Sequence, residues 1–194
     1  MKSSAVHMAE AVESDRQQHW LLTYYLTRAA FSIAWIGAAK AAASQSPLLE
    51  AALLVAYPLW DALANLADGA RSGGLARNRS QAWNGAASLA VTAAVALTLD
   101  DMHRVLAVFG IWAILSGLLQ LGTGLRRRKR HGGQWPMMLS GAQSALAGGF
   151  FLYRAALPAE PSIASVTGYA GFGAFYFLLA AGALGWRLYR ARQA

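Results

Sequence analysis

Long apolar stretches are the feature of this sequence that most restricts its fold. Six of them have close to the roughly 20 residues that a helix needs to cross the hydrocarbon of a bilayer, and short connections join them. The predicted spans are residues 20 to 44, 48 to 70, 80 to 99, 104 to 125, 134 to 156 and 162 to 187. This pattern predicts an all-α, polytopic integral membrane protein with six transmembrane helices.

The composition indicates lipid rather than water as the solvent of this chain. Of its 194 residues, 56% are hydrophobic and 13% are charged, whereas a soluble domain usually has about a quarter charged residues. Residues 1 to 19 are polar and lack the apolar core of a signal peptide, so we expect a mobile cytoplasmic tail there and a membrane domain over residues 20 to 190.

Basic residues are distributed unevenly between the predicted loops. The N-terminal tail has two, the second loop three, the fourth loop five and the C-terminus three, while the opposite side of the membrane has three. Positively charged loops stay in the cytoplasm, so both termini are expected there. The net charge of +8 thus reflects topology, and we expect no nucleic-acid partner.

The sequence contains a weak internal repeat that divides the six helices into three hairpins. The odd-numbered helices share a polar residue four positions before a serine, and these serines are Ser32, Ser88 and Ser144. The even-numbered helices align at residues 57 to 68, 109 to 120 and 169 to 180, which places Asp61 opposite Ala113 and Gly173. Since small residues let membrane helices approach closely, we predict three pseudo-repeated hairpins in one bundle.

Two charged residues lie deep inside the predicted spans. Arg28 and Asp61 are each about eight to nine residues from the cytoplasmic end of adjacent helices, which at 1.5 Å per residue places both roughly 12 to 14 Å deep. An ionised side chain within a membrane needs a partner, a water-filled cavity or a function. We therefore predict an ion pair between Arg28 and Asp61 that faces the interior of the bundle.

Further polar residues extend this region towards the cytoplasm, and they leave two interpretations open. A structural pair that fixes helix register is the favoured one, and a ligand or ion pathway is the alternative. The candidate pathway residues are Arg28, Asp61, Asn65, Asp68, Tyr57 and Asn84. Because Asp68 lies about two residues from the predicted helix end, we expect it to be solvated or paired with Arg71.

Other candidate sites are sparse. The basic run of Arg126, Arg127, Arg128, Lys129 and Arg130 is expected to set topology, with binding of lipid headgroups as the weaker alternative. Asp100 and Asp101 form an acidic turn that is typical of a solvated helix start. The chain has no cysteine, and its four histidines fall in tails or loops, so we expect no metal site and no cofactor.

Several segments resemble one known family. The small-residue segments AAFSIA, GAASLA and SGAQSALAG, together with VFGIWAILSGLLQL in an even helix, resemble the HdeD-like short-repeat membrane proteins of bacteria. The resemblance covers about residues 20 to 190. It implies a membrane bundle in the bacterial inner membrane and a link to acid resistance, and it implies no active site.

The leading functional hypothesis is a non-enzymatic inner-membrane protein linked to acid or envelope stress. It would act through membrane lipids, a second copy of itself or another membrane protein. The first alternative is a small transporter or channel that uses the Arg28 and Asp61 site. The second is a membrane-embedded, lipid-modifying enzyme with Asp61 as general acid or base.

Overall fold

A computed structural model of the chain describes residues 2–42, 46–127, 135–191 and 193. Within these residues all regular secondary structure is α-helical, which confirms the all-α part of the predicted fold class. The six helices are α1 (Lys2–Ala42), α2 (Pro47–Arg71), α3 (Arg79–Ala96), α4 (Met102–Arg127), α5 (Trp135–Ala155) and α6 (Ala164–Ala191). The bounds of α2 to α6 lie within a few residues of the predicted spans.

The first helix differs most from its prediction. α1 begins at Lys2, so the segment expected to be a mobile tail continues the helix. The sequence has neither proline nor glycine before Gly37, and thus no residue that stops a helix. The 41 residues of α1 are about 60 Å long, twice the roughly 30 Å of bilayer hydrocarbon.

Length and hydropathy identify three of the described helices as able to cross a bilayer. They are the even-numbered ones, over Pro47–Arg71, Met102–Gly122 and Ala164–Ala191. Among the described residues, the odd-numbered helices do not meet this criterion: α1 includes a polar N-terminal half, and α5 has Arg154 in its last turn.

Local sequence signals explain where the helices begin. Ser46 precedes α2, and its hydroxyl accepts a hydrogen bond from the backbone N–H of Leu49 at 3.4 Å. Asp101 precedes α4 and accepts from the backbone N–H of His103 at 2.8 Å, so the acidic turn is indeed a helix start. Between α2 and α3, Gly73 and Gly74 have φ angles of 99° and 93°, which favour glycine.

The helices form a closed ring in which each helix contacts the next in sequence, and α6 contacts α1. The most extensive packing joins α2 to α3, α4 to α5 and α6 to α1, whereas the predicted hairpin partners α1–α2, α3–α4 and α5–α6 touch less. The main packing units are therefore shifted by one helix from the predicted hairpins.

Glycines explain the closest of these contacts, between α4 and α5. A Cβ atom placed on Gly148 would lie 2.5 Å from the carbonyl oxygen of Gly110. A Cβ atom placed on Gly117 would lie 2.6 Å from the carbonyl oxygen of Gly141. Two glycine pairs, about two helical turns apart, thus bring the two backbones together.

The apolar core lies at one end of the bundle, where odd-numbered helices end and even-numbered helices begin. Its large members include Trp35, Leu54, Phe109, Phe151 and Ile163. The opposite half of the bundle, which contains the N-terminal parts of α3 and α5 and the C-terminal part of α2, holds the buried polar residues Asn65 and Asp68. The candidate site lies in this second half.

Candidate functional site

The predicted ion pair between Arg28 and Asp61 is confirmed. Nη2 of Arg28 donates to Oδ1 of Asp61, and only 13% and 18% of the two side chains are exposed. The other guanidinium nitrogen, Nη1, donates to the hydroxyl of Tyr24 at 3.1 Å. The guanidinium carbon also lies 4.5 Å from the ring centre of Phe177 on α6, so the pair links α1 to both α2 and α6.

The second oxygen of the Asp61 carboxylate is occupied as well. Oδ2 accepts from the hydroxyl of Ser88 on α3 at 2.6 Å and from the amide of Asn65 at 3.0 Å. Asn65 is held in turn by a 2.8 Å hydrogen bond to the backbone carbonyl of Asp61. We call Tyr24, Arg28, Asp61, Asn65 and Ser88 the Asp61 cluster.

The chemistry of the Asp61 cluster is that of a neutral, saturated charge pair. Both carboxylate oxygens accept hydrogen bonds from side chains on three helices, and the guanidinium has a carboxylate, a hydroxyl and an aromatic face around it. Breaking such a pair is costly, because either charge left alone would be buried without compensation. To act as a general base or to carry an ion, Asp61 would first have to release at least one of these donors.

The expectation for Asp68 is wrong. This residue is 5% exposed and does not pair with Arg71. It accepts hydrogen bonds from the indole of Trp20 at 3.0 Å, from the amide of Gln81 and from the hydroxyl of Ser72 at 3.3 Å. α1 extends from residue 20 back to Lys2, and α3 packs on α2. Both helices therefore cover the C-terminal end of α2, which was expected to be solvated.

The two remaining pathway candidates lie outside the Asp61 cluster. The ring of Tyr57 packs among aromatic side chains, with its centre 4.8 Å from Trp35 and 6.3 Å from Trp112. Asn84 is half-buried on α3, one turn before Ser88, and its side chain makes no hydrogen bond to the described residues. The structure therefore brings together Arg28, Asp61 and Asn65, and it leaves Tyr57 and Asn84 apart from them.

Sequence reasoning missed the donors that complete these contacts. Ser88 had a usable signal, because it is one of the three repeated serines and repeats identify equivalent positions. Trp20 and Gln81 had none, since a tryptophan at a helix end is typical of the membrane interface and a glutamine near a loop is typical of solvent. The partners of Asp68 depend on the closure of α1 and α3 over α2.

The repeat alignment places equivalent residues in equivalent contacts. Ser88 of α3 donates to the side chain of Asp61 on α2, and Ser144 of α5 donates to the backbone carbonyl of Ala113 on α4 at 3.1 Å. The even-helix positions, Asp61 and Ala113, are those that the alignment equates. Ser144 also forms a hydrogen bond with the hydroxyl of Tyr169 at 2.9 Å. Ser144 therefore has neutral partners, whereas Ser88 donates to a carboxylate.

The remaining predictions concern the basic run and metal binding. The basic run of residues 126 to 130 falls outside the described side chains, so its role as a lipid-headgroup site stays a prediction. Among the residues that the structure describes, no three His, Asp or Glu side chains are close enough to hold a metal ion.

Comparison with known proteins identifies one similar family. Residues 102–153 match the family described as "Short repeat of unknown function (DUF308)", to which HdeD-like membrane proteins belong. Searches of curated proteins and of solved structures find no match for the chain. The matched segment covers most of the closely packed pair α4 and α5, and it does not include the Asp61 cluster.

Proposed function

We propose that this chain is a non-enzymatic membrane protein that acts through contacts with lipids or with other membrane proteins. The observation that carries the proposal is the distribution of polar and apolar side chains, which is the reverse of that in a soluble protein. Asp61 and Asp68 are enclosed by donors, whereas many large apolar side chains face outward. Those on α4 to α6 include Ile111, Leu115, Leu118, Leu119, Leu139, Leu146, Phe150, Phe172, Phe175, Leu178 and Leu179. Only lipid or an apolar protein surface covers such a face favourably.

The proposal includes six membrane crossings, with both termini in the cytoplasm. Besides the three strongly apolar helices, α3 and α5 expose Leu89 and Leu146 by 43% and 75%. At 18 and 21 residues, they are about 27 and 31 Å long, close to the thickness of the hydrocarbon. The positive-inside distribution of Lys and Arg supports the orientation.

The proposal also includes the bacterial inner membrane and a role of the HdeD-like type in acid or envelope stress. Support comes from the short-repeat match over residues 102–153 and from the repeated small-residue segments in the odd-numbered helices. The apolar outer face is also suited to self-association of the chain.

Single-cysteine labelling tests the topology. The chain has no cysteine of its own, so each introduced thiol is unique. Ser80 and Ser162 are both exposed, near the predicted cytoplasmic and outer surfaces. In intact cells, an impermeant maleimide should label Ser162→Cys, and it should label Ser80→Cys only after the membrane is opened. Labelling of both before opening contradicts six crossings.

A flux assay tests the non-transporting role against the channel or transporter alternative. The alternative is favoured by one observation: Asp61, Asn65 and Asp68 follow one another along a single face of α2 in the buried part of the bundle. Liposomes that contain the purified protein and a trapped pH indicator receive a pH step and, separately, a potassium diffusion potential. We expect the same flux as in protein-free liposomes.

The control is Asp100→Asn, which removes an exposed carboxylate outside the cluster. Flux that Asp61→Asn abolishes and Asp100→Asn retains would establish the transporter alternative in place of our proposal.

A further inference from the structure

An open pocket of about 290 Å³ lies between the polar half of α1 and the end of α2. Its α1 side is formed by Glu13, Arg16, Gln17 and Trp20, and its other side by Arg71, Ser72 and Gly73. This volume is just below the range of about 300 to 1,000 Å³ that holds drug-sized ligands, and the charged and polar lining residues suit a small polar group. None of the pathway candidates lines it.

Among the side chains that the structure describes, those lining this pocket carry more positive than negative charge. Arg16 and Arg71 are exposed, and neither has a carboxylate within ion-pair distance among the described residues. The one acidic side chain that lines the pocket is Glu13. Two guanidinium groups and one carboxylate give the lining side chains a net charge of +1, and Asp68 behind Trp20 and Ser72 is already occupied by three donors, so the open side of the pocket attracts an anion.

Trp20 holds one of the two arginines in place. The guanidinium carbon of Arg71 lies 4.4 Å from the ring centre of Trp20. The indole is fixed by its hydrogen bond to the buried Asp68 at 3.0 Å. A stacked guanidinium keeps its in-plane N–H groups for a second ligand, and less conformational freedom is lost when that ligand binds.

The position of the pocket agrees with a ligand at the membrane surface. Trp20 lies where the apolar part of α1 begins, and tryptophan prefers the headgroup layer. Arginine binds phosphate oxygens through two parallel hydrogen bonds. We infer that Arg16 and Arg71 bind the phosphate of an anionic phospholipid headgroup in this pocket. The inference rests on the proposed function, because it needs this part of α1 and the C-terminal end of α2 to lie at the cytoplasmic membrane surface.

Native mass spectrometry of the detergent-purified protein tests this inference. The probes are phosphatidylglycerol, phosphatidylcholine and inorganic phosphate, and the variants are Arg16→Gln and Arg71→Gln. Since a hydrogen bond to a charged group contributes about 1.5 to 3 kcal/mol, each variant should weaken phosphatidylglycerol binding by about 10- to 100-fold. The matched control is Arg77→Gln, which removes the same charge from the neighbouring loop outside the pocket and should change binding by about twofold at most.

Three outcomes would overturn the inference. They are equal binding of phosphatidylglycerol and phosphatidylcholine, equal losses for Arg71→Gln and Arg77→Gln, and displacement of the lipid by inorganic phosphate at equal concentration. Arg16→Gln alters an exposed position of a helix and should keep the fold, which its thermal midpoint checks. Ion flux in the liposome assay would refute the proposed non-transporting role and leave this binding test unaffected.

Discussion

The contact between α4 and α5 allows a sharp test with two adjacent glycines of α5. A Cβ atom on Gly148 would lie 2.5 Å from the carbonyl oxygen of Gly110 and 2.7 Å from the backbone nitrogen of Ile114. A Cβ atom on Gly149 would have no atom within 4 Å. The variants Gly148→Ala and Gly149→Ala therefore add the same methyl group to the same helix, once into a contact and once into open space.

The size of the effect follows from that geometry. In both variants alanine gains about 1 kcal/mol of helix propensity over glycine, so this contribution cancels between them. At Gly148 the added methyl group meets backbone atoms, which cannot move without displacing a whole helix, and ordinary contact requires nearly 1 Å more separation. Overpacking usually costs about 1 to 3 kcal/mol, and a clash with backbone belongs at the upper end of that range.

Reversible unfolding in mixed micelles of mild detergent and dodecyl sulfate measures the difference. We expect Gly149→Ala to match or slightly exceed the wild type in free energy of unfolding, and Gly148→Ala to lie about 2 to 3 kcal/mol below Gly149→Ala. Equal stability of the two variants would refute the close approach of α4 and α5.

Three further predictions concern charged residues. For the ion pair, Arg28→Gln and Asp61→Asn should each cost about 3 to 5 kcal/mol in free energy of unfolding, and the double variant should cost less than their sum because it leaves no unpaired charge; additive losses would show that the pair is not coupled. For the buried carboxylate, Asp68→Ala should cost about 2 to 3 kcal/mol by leaving its indole and amide donors unsatisfied, whereas Arg71→Ala in the same assay should cost less than about 1 kcal/mol; an Asp68→Ala protein as stable as the wild type would restore the solvated interpretation. For the acidic turn, hydrogen bonds from Arg104 hold the pKa of Asp101 below its ordinary value. The stabilisation by ionised Asp101 should thus be complete above its unfolded-state pKa and should be lost as the pH falls through the lowered pKa; a difference in thermal midpoint between wild type and Asp101→Asn that did not change over this acidic range would contradict it.

The sequence predicted the helices and the ion pair because both follow from short-range rules. Apolar length alone defines a span, and the matched depths of Arg28 and Asp61 follow from counting residues along two neighbouring helices. The cost of an unpaired charge in lipid then favours one partner over others at different depths. No knowledge of the ring order was needed.

The predictions were wrong where the environment of a residue depends on helices other than its own and its predicted hairpin partner. Asp68 was placed at the surface because its own helix ends nearby, but Trp20 and Gln81 reach it from α1 and α3. The repeat identified equivalent residues correctly enough to align Asp61 with Ala113. It did not indicate which neighbour each helix packs against, because the same spacing fits both a hairpin and a pairing with the following helix.

The packing of α1 against α6 has a consequence for biosynthesis. Four helices separate α1 from α6 along the chain, so the ring cannot close until α6 has left the ribosome. Arg28 and Asp61 can meet once α2 has been inserted, but the aromatic cover that Phe177 places on the guanidinium arrives with α6. During synthesis Arg28 is thus shielded from lipid in two steps, first by the carboxylate of Asp61 and later by α6.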